Sequence, residues 1–273
     1  MSMQTRMTNQ ITVVINPQEQ EASEIIFDAT ARAIPVIHGL WGLNQPENCR
    51  IYVMTSWWGF FFQSAPWAWK ILLAVAFPLW CFRAPRTWPY SAAWTQAFGR
   101  QVVIGIKPPR LLETSDKSIG SRVYAEVQDA NTKLQHLTCH ELTHACSAHL
   151  KLPAWLNEGL AAVTVDHFLG RRTFRTETIA LLRTFQPQKR PPTYRELSRM
   201  NIDAITYYAV LDYWLVSYLE ELHPGLLKGL FLSPPVSPAI DIQIAEQLGI
   251  ASGEFWSMMP GVIADHFGSV KPA

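Results

Sequence analysis

Residues Thr138 to Ala162, TCHELTHACSAHLKLPAWLNEGLAA, gather three histidines and two glutamates into one short run. Within it His140-Glu141-Leu142-Thr143-His144 reads H-E-x-x-H. On a helix each residue turns about 100°, so positions four apart lie one above the other and two imidazoles can bind a single metal ion. Glu141 stands one step round from His140. That is too far for good ligation, yet close enough to take a proton from a metal-activated water, which makes it the candidate general base. Imidazole and carboxylate ligands suit zinc, and catalytic zinc sites use three protein ligands and keep a position for water. His149 follows His140 by nine positions and falls nearly opposite on the helical wheel, while His136 shares the right face but would have to displace His144. Glu158 fits better. Pro153 permits a reversal that lets the next helix aim one carboxylate at the pair, giving the His2Glu set of a catalytic zinc site, Zn2+ held by His140, His144 and Glu158. Asn157 is placed to orient Glu158 or a ligand histidine, and Asp166 to accept the N–H of a ligand imidazole, unless each is simply a polar helix residue.

Elements able to position such a site are legible on either side. The β-branched run Ile11 to Asn16 reads as a strand that stops at Asn16-Pro17, and Arg50 to Ser56 and Arg100 to Pro109 read as two more. Between the first two, apolar residues recur at helical spacing from about Gln20 to Trp41, interrupted by Pro35. The motif helix is expected from Asn131 to about Leu150, and a second from Ala154 to about Leu169, ended by Gly170. Beyond a Pro- and Arg-rich stretch lie a helical run stopping at Pro224-Gly225 and two amphipathic patterns near the end. The fold class is α+β: a small mixed β-sheet, an active-site helix, a ligand helix and a helical C-terminal part. One unit over 1–273 is expected, β-rich in 1–130 and helical in 131–273.

Composition narrows the function. With 23 Lys+Arg against 22 Asp+Glu the net charge is +1, so no basic field for nucleic acid is expected. Cys49, Cys81, Cys139 and Cys146 are scattered, without a C-x-x-C pair, and the N-terminus lacks the apolar core of a signal peptide. These features read as reduced thiols in a cytoplasmic protein. Trp57 to Phe82, whose only charge is Lys70, is the awkward segment, part of an apolar insert over about 57–99. One bilayer crossing there would set the strands before it and the strand after it on opposite sides of the membrane, where they could not share a sheet. Two readings stay open: a buried insert, or a peripheral membrane contact rich in Trp and followed by Arg83 and Arg86. The motif helix itself, with Lys133, Gln135, His136, His149 and Lys151, is too polar to face lipid.

The segment LPAWLNEGLAA resembles the second-helix motif of the gluzincin metallopeptidases, W-L-x-E-G-x-A, with Trp155, Leu156, Glu158, Gly159 and Ala161 matching. The short spacing from His144 to Glu158 is most similar to the small peptidase MA-like domain proteins. Softer similarity extends over RIYVMTS, PPTYRELSRM and EQLGIASGEFWSMM; the aromatic insert departs from it. The resemblance implies a zincin-like fold and a zinc metallopeptidase acting on a peptide or protein substrate, with Glu158 at the ligand position. It also implies a tyrosine or histidine that donates to the oxyanion, for which Tyr207, Tyr208 and Tyr213 are candidates and Tyr208 is favoured. Arg122 to Val127, RVYAEV, is expected as an edge strand for an extended peptide. The competing expectation is a catalytically silent zinc-binding domain that holds a partner or a membrane surface. Against it stands Glu141, for which a purely structural site has no use.

Overall fold

The computed structural model describes residues 4–75, 88, 91–115, 119–125, 129–184, 190–233 and 240–268. Its chain divides into two compact units, one of Met1–His38, Asn44–Ser121 and Val127–Ala148, the other of Gly39–Leu43, Arg122–Glu126 and His149–Ala273.

In the first unit a five-stranded sheet runs in the order β1 (Gln4–Thr8), β2 (Ile11–Ile15), β3 (Asn48–Val53), β5 (Gln101–Ile106), β4 (Ala93–Phe98). The three strands legible in the sequence are its centre and pair in parallel, β2 with β3 and β3 with β5. Their apolar, β-branched runs are what two covered faces require. Each edge strand is antiparallel to its neighbour. Neither edge strand is foreseen by the sequence reading, because β1 is exposed and polar and β4 only half-buried. Asn9 and Gln10, with φ of 48° and 64°, form the tight turn between β1 and β2 that suits strand twist.

Strand register assigns the faces. Val14, Tyr52, Val103, Gly105, Trp94 and Phe98 share one face; Ile51, Ile104 and Thr95 share the other. Helix α1 (Gln20–Trp41) continues through Pro35 instead of breaking there, burying Ile26, Ala29, Ala33 and Ile37. The insert is part core and part surface. In α2 (Trp57–Ser64), capped by Ser56, the side chains Trp57, Phe60 and Phe61 bury with Tyr52, Met54, Phe98 and Val103. Gly105 makes room for them, since a Cβ there would lie 2.8 Å from the Phe60 ring. In α3 (Trp67–Val75), by contrast, Trp67 and Val75 are each 75% exposed. Among the described residues no helix is long and apolar enough to cross a membrane. The remainder of the apolar stretch, 76–82, lies outside the described residues.

After α4 (Pro109–Ser115), helix α5 (Ala130–Ser147) carries the H-E-x-x-H motif and packs on β4 and β5. Arg122 to Val127 is not the expected edge strand: Gly120–Val123 form a helical turn and Tyr124 makes a single bridge to Phe174, while 126 and 127 lie outside the described residues.

The second unit is helical. Its members are α6 (Ala154–Leu169), α7 (Ile202–Leu222), α8 (Leu226–Leu232), α9 (Ile240–Gln247) and α10 (Phe255–Gly268), with a 3-10 segment over Thr176–Arg183. The α6–α7 pair is the main packing, and Trp155 of α6 meets Trp256 of α10 edge to face at 5.2 Å. Gly170, at φ 67°, ends α6 as the sequence reading expects.

Candidate metal centre

Helix α5 begins where Asp129 accepts hydrogen bonds from the backbone N–H groups of Asn131 and Thr132. Its inner face is Leu134, Cys139, Leu142 and Cys146, all at most 1% exposed. Cys49, Cys139 and Cys146 are free thiols, and burial raises their pKa, to about 12 for Cys49 and Cys146. They are core residues, not metal ligands.

With that face buried, His140 and His144 stand half-buried one turn apart. Their Nε2 atoms are 3.1 Å apart and their rings perpendicular at 4.7 Å. Two nitrogens each about 2.0–2.1 Å from a tetrahedral zinc ion sit roughly 3.3 Å from one another, so the pair already has the spacing of two ligands on one ion.

Glu141 is 8% exposed, and Thr95 Oγ1 on β4 donates to its Oε2 at 2.5 Å. The hydroxyl thus holds the candidate base from the sheet. Thr95 is absent from the sequence reading because its strand is. His136 is buried, and that burial, followed by the neighbouring His140 and Lys133, pushes its pKa down to about 3. It is therefore a neutral core histidine, whereas His149 is exposed in the turn after α5.

In the helical unit, the W-L-x-E-G-x-A residues divide their work. Trp155, Leu156 and Ala161 are buried at 1% or less. Gly159 allows α6 to approach the α7 backbone at Asp212. Glu158 is left half-buried at the rim of this packing. Tyr194 Oη donates to Glu158 Oε1 at 2.8 Å and accepts from Asn157 Nδ2 at 2.7 Å. Asn157 is thus linked to Glu158 through the hydroxyl of Tyr194, which the sequence does not single out. Burial, then the Glu158 charge, raises the Tyr194 phenol well above the usual tyrosine range. Asp212, 3% exposed, is likewise raised well above the carboxylate range by burial and then by Glu158.

Among the described residues one group of three could hold a metal ion: His140, His144 and Glu158 each offer a ligand atom, and these atoms lie within 4.8 Å of one another. The donor set is two imidazoles and a carboxylate, which fits zinc.

Asp166 turns out to have other partners than a ligand imidazole. Asp166 takes both the N–H and the hydroxyl of Thr173 on Oδ1 and the Tyr213 hydroxyl on Oδ2, so it braces α6 against α7 and the loop after it. Tyr207, Tyr208 and Tyr213 are all at most 4% exposed. Tyr208 stacks edge to face on Tyr207 at 5.2 Å, its pKa raised by burial and then by Asp212 and Glu196.

Comparison with family models, curated proteins and solved structures finds no match to this chain.

Proposed function

We propose that the chain is a zinc-dependent metallopeptidase of zincin-like, gluzincin type, with His140, His144 and Glu158 as metal ligands and Glu141 as general base. The observation that carries the reading is the convergence of the two imidazoles and Glu158 within ligand distance, with a buried glutamate between the histidines in sequence. Zinc, when bound, would polarise the scissile carbonyl and lower the pKa of a coordinated water. Glu141 would accept the water's proton on its carboxylate, in an orientation held by Thr95, and pass it to the leaving amine. Tyr208 is the proposed donor to the oxyanion. Thr95 also sets β4, which among the described residues pairs only with β5, beside that carboxylate, so an extended peptide could add to its outer edge.

Support for a peripheral membrane contact comes from Trp67, Trp69, Ile71, Leu72 and Val75, which are between 41% and 75% exposed in α3. Such a helix offers Trp and aliphatic side chains to headgroup depth. The proposed setting is thus a membrane surface.

The test is at one residue. Wild-type protein purified without chelators should carry one zinc per chain and cleave members of a broad peptide library; Glu141→Gln should keep the zinc and lose cleavage. Wild-type protein free of zinc would overturn the reading. Zinc retained with no cleavage by wild type would instead favour the silent zinc-binding domain.

A further inference from the structure

A carboxylate is a less directed ligand than an imidazole, since it can turn about its last torsion and bind through one oxygen or two. Glu158 is restrained in this respect. Its Oε1 accepts the Tyr194 hydroxyl at 2.8 Å, and the same phenol oxygen accepts Asn157 Nδ2 at 2.7 Å. A phenol has a single hydrogen. With Asn157 donating to it, that hydrogen is directed at Glu158. Because Asn157 and Glu158 are consecutive on α6, the chain of bonds leaves the helix and returns to the adjacent residue, closing a small ring around the glutamate side chain.

Tyr194 is itself held. It opens the helical turn Tyr194–Leu197, whose capping box joins Thr193 and Glu196 in both directions. Glu196 is gripped by the Arg190 guanidinium through two bonds of 3.0 and 2.6 Å. Tyr194 is half exposed as a residue, but its hydroxyl is enclosed between the Asn157 and Glu158 side chains.

We infer that Tyr194 is a positioning residue for the metal centre, presenting Glu158 as a one-oxygen ligand, and that Asn157 sets the direction of its hydrogen. The inference rests on the reading of His140, His144 and Glu158 as zinc ligands. Groups that orient a metal ligand typically change affinity ten- to a hundredfold when removed.

Zinc affinity of the full chain, measured by competition with a chromophoric chelator, tests it without reference to catalysis. Tyr194→Phe should weaken zinc binding about ten- to a hundredfold while leaving urea unfolding of the metal-free protein unchanged. Asn157→Ala should weaken it in the same direction by less, and the double variant should be no worse than Tyr194→Phe alone. Zinc affinity within twofold of wild type in both single variants would overturn the relay. If Tyr194→Phe also lowers the stability of the metal-free protein, Asn157→Ala, which keeps the ring in place, decides. Glu158→Ala separates the two levels: if it too leaves zinc affinity unchanged, the ligand set itself is wrong, whereas a loss there with none at Tyr194 or Asn157 removes only the relay.

Discussion

Replacing Gly159 by alanine probes the packing that places Glu158. A Cβ at this position would meet the backbone oxygen of Asp212 and lie 2.5 Å from Val216 Cγ2. Carbon atoms rest about 3.5 Å or more apart, so α6 and α7 must separate by about 1 Å. Neither obstacle yields cheaply: one is backbone in the middle of α7, the other belongs to a β-branched side chain that is fully buried. Overpacking of this kind costs roughly 1–3 kcal/mol. Against it, Gly to Ala inside a helix gains about 0.8–1.0 kcal/mol in propensity. The net expectation is a loss of up to roughly 2 kcal/mol, read as a lower urea midpoint for the metal-free protein. A further effect should appear in function, because Glu158 moves with its neighbour. A displacement of about 1 Å can lower activity on the order of a hundredfold, and zinc affinity should fall with it. A variant more stable than wild type by the full propensity gain of about 0.8–1.0 kcal/mol would refute the close approach, since no packing cost would then remain.

Other outcomes follow from the same geometry. Thr95→Val keeps the side-chain shape but removes the donor to Glu141; a bond to a charged group is worth about 1.5–3 kcal/mol, so kcat/KM should drop roughly ten- to a hundredfold with zinc content unchanged. Thr95→Ser should restore it, and an unaffected Thr95→Val would remove Thr95 from the site. His136 supplies a pH dependence. Its pKa of about 3 lies below the ordinary value of about 6.5, so under acid conditions the unfolded chain binds a proton that the folded chain refuses. Stability of the metal-free protein should therefore be fully present above pH of about 6.5 and fall as pH drops from there towards about 3. His136→Leu should flatten that profile, and equal slopes for the two proteins would contradict the assignment. For the exposed helix, wild type should sediment with anionic lipid vesicles and Trp67→Ser with Trp69→Ser should not; wild type left wholly in the supernatant would end the membrane proposal.

Much of the scaffold is legible in one dimension, and the reason is burial. Strands β2, β3 and β5 announce themselves because the centre of a sheet demands apolar, β-branched residues on both faces. The edges do not: β1 is solvated and β4 mixed, so their alternation carries no strong signal. Pro35 illustrates the opposite error. A proline removes one helical hydrogen bond, but α1 buries Ile26, Ala29, Ala33 and Ile37 along its length, and packing outweighs the local loss. The insert over 57–75 divides within itself, α2 covering the sheet and α3 facing outward, a distinction that composition cannot carry when both halves are equally apolar.

For the site the division is sharper. His140, Glu141 and His144 lie within five residues on one helix, and Glu158 belongs to a motif whose Gly159 packs on α7, whose Trp155 packs on α10 and whose Leu156 is buried. The histidine pair obeys helical periodicity, so spacing reveals it, whereas Glu158 is picked out by the Pro153 reversal and by the resemblance of its segment to a known motif. Thr95 and Tyr194 are different: they reach Glu141 and Glu158 across 46 and 36 residues of chain. A hydroxyl on an unrecognised edge strand and a phenol in a connecting turn share no period with the helices they touch. Their partners follow from how the chain folds back, which local spacing does not encode and tertiary packing alone decides.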